Sequence, residues 1–249
     1  MTARLAGAAA ALLLTTLSAC NALPEDYQQP KHKAQPTARA ATPVAAPSPL
    51  PTLAADDPAR LAAARAVVPG TIDSYTFDGD DKLIDAPFGP VLLRHGHNPD
   101  AGHSEPGVIA AYYLRAEGDR FALVNSYPDA AVSGSFGNLT RWSVSDAFTD
   151  LPVIVVEGGG TWQGCTVGLT DLIELRPIGP APIASITTTF DTSGMREAEG
   201  EAYSGTITDV RRDSGFTVRY QGTDSFAERY VRRGNRFVLE GGESRITGC

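Results

Sequence analysis

Three of the chain's four histidines fall within nine residues, in the run His95-Gly96-His97-Asn98-Pro99-Asp100-Ala101-Gly102-His103. If a strand through Val91–Arg94 continues, His95 and His97 project from one face, because side chains alternate along a strand. Asn98-Pro99 then turns the chain and lets Asp100 or His103 approach from the loop. Three such donors plus a water suit Zn²⁺, at about 2.0–2.2 Å per ligand, and a zinc-bound water can become a nucleophile. His95, His97, Asp100 and His103 are therefore the candidate metal ligands. The competing expectation is a polar loop. Gly96, Pro99, Gly102 and Pro106 punctuate this stretch, and exposed imidazoles there simply bond water.

Other chemistry-bearing patterns are sparse. The histidine order resembles the His-x-His-x-Asp-His metal motif of metallo-β-lactamase-like hydrolases, but its spacing differs and that fold is α/β, so no activity is carried over. Asp78-Gly79-Asp80-Asp81 with Asp85 has the acidity of a calcium loop without its Asp-x-Asp-x-Asp spacing and later Glu, which predicts a turn. Glu157-Gly158-Gly159-Gly160-Thr161-Trp162 lacks the order of a dinucleotide fingerprint and predicts a turn where backbone and the Trp162 ring pack closely. No Gly-x-Ser-x-Gly elbow, phosphate-binding loop or Cys-x-x-Cys occurs. No catalytic residue is singled out, and no cofactor other than zinc is indicated. The leading expectation is a non-enzymatic binding or scaffolding protein. A metal-binding protein or metal-dependent hydrolase using His95, His97 and His103 is the second reading, and a hydrolase inhibitor the third.

The N-terminus speaks to location. Met1-Thr2-Ala3-Arg4 supplies one positive charge, and Leu5–Leu17 is a 13-residue run dominated by Ala and Leu. That length fits the apolar core of a secretory signal and falls short of the roughly 20 residues of a membrane span. The run ends in Leu17-Ser18-Ala19-Cys20, which resembles the lipobox of bacterial lipoproteins. The resemblance covers residues 1–21. It implies that residues 1–19 are removed and that Cys20 becomes an acylated first residue inserted in the lipid bilayer. Asn21 stands where Asp usually marks inner-membrane retention, so the implied destination is the outer membrane, facing the periplasm.

Residues 20–56 form a different regime, with Pro24, Pro30, Pro36, Pro43, Pro47, Pro49 and Pro51 among Ala, Gln, Thr and Ser. Such a segment buries too little to offset its ordering entropy, which predicts a disordered tether. If mostly polyproline II, it could reach on the order of 110 Å. Of the three cysteines, Cys20 is claimed by lipid, leaving Cys165 and Cys249 to pair in an oxidising compartment. Closing that loop would contribute roughly 4.5 kcal/mol in the chain-entropy model.

The elements that must position these residues are strands. The chain has 249 residues, of which 42% are hydrophobic, with a net charge of −8. That balance argues against nucleic acid as a partner, because phosphate binding needs positive surface. The expected partners are the bilayer and an unidentified envelope protein or polymer. Asp57-Pro58 offers an N-cap and first-turn proline to a short helix over Ala59–Val67. Beyond it, β-branched and aromatic runs over 107–116, 121–127, 153–156, 167–175, 183–190, 203–210, 216–220, 226–231 and 237–239 alternate with Gly, Asp and Asn turns. The expected class is all-β, antiparallel meanders packed as a sandwich or barrel-like domain over 57–249.

Two further patterns stand out. Tyr113–Leu123 is echoed by Tyr230–Leu239, and Val156-Glu157-Gly158-Gly159 by Leu239-Glu240-Gly241-Gly242, suggesting duplicated halves at about 67–200 and 201–249. Residues 67–202 carry 7 basic and 19 acidic side chains, whereas residues 203–249 carry 8 and 6. The meander arginines suggest an anion-binding face. The adjacent pairs Arg211/Arg212 and Arg232/Arg233 point to opposite sides of a strand, however, which predicts ordinary solvated and ion-paired side chains.

Overall fold

The computed structural model describes residues 57–249 apart from 78–79, 196–199 and 247. The signal segment, Cys20 and the Pro/Ala-rich tether lie outside the described residues. Among the described residues the single helix, α1 (Pro58–Arg65), starts where the sequence places it. Ala59 N donates to the Asp57 side chain at 2.9 Å, and Pro58 occupies the first turn.

The rest is antiparallel β structure. The strands are β1 (Thr71–Ile72), β2 (Tyr75–Thr76), β3 (Asp81–Ala86), β4 (Gly89–Gly96), β5 (Gly107–Glu117), β6 (Arg120–Ser133) and β7 (Arg141–Ser145). They continue with β8 (Val153–Trp162), β9 (Cys165–Arg176), β10 (Gly179–Asp191), β11 (Ala202–Arg211), β12 (Gly215–Gly222), β13 (Ser225–Arg233) and β14 (Arg236–Leu239). β3-β4-β5-β6 form one meander sheet, and β7 through β14 form a second in unbroken sequence order, with β1-β2 as a small ribbon. Two-residue turns set several registers. Trp162 pairs Cys165 around Gln163 and Gly164, whose φ values of 51° and 85° suit a tight hairpin.

The layers follow from strands buried on both faces. In β4 and β5, Val91, Leu93, Ile109, Ala111 and Tyr113 pack against Trp142, Val144, Ile154, Val156 and Ile173 of the larger sheet. The alternate residues Leu92, Ala110, Tyr112 and Leu114 face the other way, where α1 covers them through Leu61 and Ala64. Such near-continuous apolar runs are what a doubly covered strand requires.

A further core lies within the larger sheet, which rolls on itself. Val153, Val155, Leu172, Ile183 and Ile186 on its first half meet Phe216, Val218, Tyr220, Tyr230 and Phe237 on its second. Phe216 and Tyr230 stack at 5.0 Å between ring centroids. Register shifts at Pro182/Ala184 and Thr187/Thr189 interrupt β10, and bulges of this kind bend and twist a strand. β11 pairs β10 only across Thr189–Asp191. Earlier residues of β10 therefore pair with β9 on one side and with no strand on the other among the described residues.

The sheets do not part at residue 200. The boundary between sheets falls between β6 and β7, and β10 pairs β11 across residue 200. The echoed stretches at 113–123 and 230–239 are both hairpins. Val156–Gly159, however, lies within β8, while Leu239–Gly242 is the end of β14 and a turn.

Candidate functional site

The histidine run is not assembled as a metal centre. His95 is the penultimate residue of β4, and its backbone faces Ile109 of β5. His97 pairs with Thr76, each backbone N–H donating to the other's carbonyl at 2.9 and 3.0 Å, and its Nε2 lies 3.3 Å from Thr76 Oγ1. Asn98 then organises the loop, its side-chain oxygen accepting from Asp100 N at 3.1 Å and its carbonyl from Ala101 N at 3.2 Å. The turn leaves Asp100 exposed. His103 is sent away to the rings of Phe136 and Trp162, with centroids 4.8 and 5.7 Å off. Among the described residues no group of three or more His, Cys, Asp or Glu side chains is arranged to hold a metal ion. The structure therefore does not bring His95, His97, Asp100 and His103 together as one group.

The other two patterns also resolve into packing. Asp81 lies in β3 rather than in a turn, its carboxylate almost fully buried against Arg94 and Arg65. The glycine run continues β8 as strand. A Cβ on Gly158 would meet the backbone of Gly134, and one on Gly160 would meet the Trp162 ring. Glycine here lets β8 approach the end of β6 and lets the indole pack against its own strand at Gly160.

Cys165 and Cys249 are joined by a disulfide, with Cα atoms 6.1 Å apart. The tail leading to Cys249 is held before it arrives there. Glu228 Oε1 accepts from Ser244 Oγ and Arg245 N, each at 2.8 Å, and Ile246 is buried in the rolled core.

A further opening lies between the edge strands β6 and β14. A cleft of about 490 Å³ is floored by Ile173, Ile183 and Ala184 of β9 and β10. Residues 129–132 of β6 and 236–238 of β14 flank it. β6 and β14 each end their sheet. Its lining is mainly apolar, and Val132 and Val238 stand 48% and 41% exposed within it. Asp129, Asp171, Ser185 and Arg236 supply polar groups, and Ser133 Oγ donates to Asp171 at 3.4 Å. Clefts of this size and composition are what small ligands occupy.

Beside the cleft, four arginines gather around the Gly234-Asn235 turn. Arg176 donates to Glu174 Oε2 at 2.6 Å and to Asn235 O at 3.1 Å. Arg232 donates to Gly234 O at 3.0 Å and pairs with Glu174 and Asp213 at 3.5 and 3.6 Å. Burial pushes the Glu174 carboxyl up, but hydrogen bonds from Arg176 and Thr149 and the two guanidinium charges outweigh it, holding Glu174 below its ordinary value. Arg233 and Arg236 are exposed and sit directly opposite each other across the hairpin. Neither has a carboxylate within ion-pair distance among the described residues.

Of the remaining meander arginines, Arg212, Arg219 and Arg229 are ion-paired, whereas Arg211 has no carboxylate within ion-pair distance among the described residues. Arg219 meets Asp209 at 2.9 Å, and Arg212 reaches Asp146 and Asp150 at 3.9 Å. The sequence reading counts Arg233 and Arg236 among solvated and ion-paired side chains, although the two-residue turn between them carries the signal that they share a face. Comparison with protein-family models, with curated proteins and with solved structures finds no match for this chain.

Proposed function

We propose that the chain is a bacterial envelope lipoprotein, anchored through acylated Cys20 in the outer membrane and presenting its β domain to the periplasm in a non-enzymatic binding or scaffolding role. The observation that carries this is the order of the first 20 residues: one arginine, a short apolar run, then Leu17-Ser18-Ala19-Cys20. A run of that length directs export but is too short to span a bilayer. Several acyl chains would anchor the protein firmly, since each buried CH₂ contributes about 0.8 kcal/mol. The Cys165–Cys249 disulfide supports the reading, because such bonds persist in the periplasm and rarely in the cytosol.

Two features support binding over catalysis. Of the candidate metal ligands, His97 lies against Thr76 and His103 against the rings of Phe136 and Trp162. The cleft beside β14 is apolar with a charged margin, the composition of a binding site. Fractionation of cells carrying the wild-type chain or Cys20→Ala tests the anchor. The wild type should partition with outer membrane, and the variant should be soluble or accumulate as uncut precursor. Equal membrane partition and equal mass of the two would overturn the reading.

A further inference from the structure

We infer that the cleft between β6 and β14 binds a fatty-acid anion, its chain lying on Ile173 and Ala184 and its carboxylate held by Arg236 and Arg233. This specifies a ligand for the proposed binding role and does not depend on the lipid anchor.

The charge arrangement comes first. Like charges directly opposite on neighbouring strands are unfavourable, yet Arg233 and Arg236 face each other across a two-residue turn. Their neighbours do not relieve this. Arg176 and Arg232 already claim Glu174 and Asp213, which leaves Arg233 and Arg236 with no carboxylate within ion-pair distance among the described residues. A carboxylate is the natural complement, because planar guanidinium donors match its two oxygens.

The apolar surface comes second. Arg236 belongs to the cleft lining and lies next along β14 to Phe237 and Val238, which line it too. An anion on Arg236 therefore has hydrophobic surface beside it. Val132 and Val238 are half exposed on the two flanking strands, and an alkyl chain between them would remove both from water. The volume of about 490 Å³ falls within the usual range for small-ligand sites. Asp129 and Asp171 also line the cleft and would favour a cation instead. The hydrogen bond from Ser133 to Asp171 does not offset that pull, so the anion is assigned to the β14 margin at Arg236, and the cationic amphiphile in the test measures the pull of the two aspartates.

The test uses the full chain carrying Cys20→Ala, which has no acyl group of its own, titrated calorimetrically with laurate below its micelle concentration. Dodecyltrimethylammonium serves as the cationic counterpart. One-to-one laurate binding is expected, weakened about tenfold or more in Arg233→Ala/Arg236→Ala, the effect of losing charge-assisted bonds. Ala130→Trp, which fills the cleft while keeping both arginines, should abolish it, with circular dichroism confirming that each variant is folded. Undetectable laurate binding by the parent chain, unchanged affinity in the double arginine variant, or tighter binding of the cationic amphiphile would each overturn the inference. None of these results bears on whether Cys20 is acylated, which the fractionation experiment reads separately.

Discussion

Asp81 and Arg94 face each other across the β3–β4 hairpin as a buried ion pair, Arg94 Nε donating to Asp81 Oδ2 at 3.0 Å. The same carboxylate oxygen accepts from Arg65 at the end of α1 at 2.6 Å. Arg94 also donates to Pro69 O at 2.7 Å and Phe77 O at 3.3 Å, with its guanidinium 4.7 Å from the Phe77 ring centroid. One carboxylate thus ties the helix, the 69–77 segment and the first hairpin together.

Removing one partner leaves the other charge buried and uncompensated, which typically costs 3–5 kcal/mol. Asp81→Ala should therefore lower urea-unfolding stability by about that amount. The double replacement Asp81→Leu/Arg94→Met should recover part of it. A change in Asp81→Ala within about 0.5 kcal/mol, the range of ordinary surface substitutions, would contradict the role assigned to the pair.

The disulfide should be chemically present and should stabilise. Non-reducing peptide mapping is expected to recover a peptide linking Cys165 to Cys249. Cys249→Ser should lower stability by about 2–4 kcal/mol. Glu228, Ser244 and Ile246 hold the tail independently, so the variant should remain folded. Two free thiols in the oxidised protein would contradict the pairing.

Glu174 gives the domain an acid-sensitive link. Its folded pKa is held down by Arg176 and the other partners, so its contribution is complete above the unfolded value of about 4.3 and is lost as pH falls through the folded value. Stability measured across that window should drop, and Glu174→Gln should flatten the acid limb while lowering stability at neutral pH. An identical pH slope in the variant would show that Glu174 does not carry the effect.

The glycine run of β8 should be intolerant of side chains for packing reasons. A Cβ at Gly158 meets the Gly134 backbone and the Ser133 side chain, so Gly158→Val should cost about 1–3 kcal/mol through overpacking. Gly118 has open space around it but a φ of 68°, which makes it a control for backbone conformation alone. A Gly158→Val protein as stable as wild type in thermal unfolding would refute the close approach of β8 to β6.

Local chemistry made much of this fold legible in the sequence. Asp57-Pro58 starts α1, and the strands from β8 onward fall on the apolar runs between Gly and Asn turns. β3 was obscured because Asp81 and Asp85 look like turn residues until Arg94 and Arg60 are brought beside them. β8 appeared shorter than it is because glycine usually punctuates strands, whereas here it permits contact between layers. The histidines could be placed on β4 and its loop, but whether a third ligand returns depends on hydrogen bonds made by Asn98 and on where Trp162 lies. The cleft depends on the rolling of the larger sheet and the early parting of β10 from β11, which are long-range consequences of bulges.

The mass of the N-terminal peptide from membrane-extracted protein tests the central claim most directly. The proposal predicts a chain beginning at Cys20, its thiol carrying a diacylglyceryl group and its amine acylated, with residues 1–19 absent. An unmodified Cys20 in a chain that still carries residues 1–19, or that starts at some other residue, would contradict it.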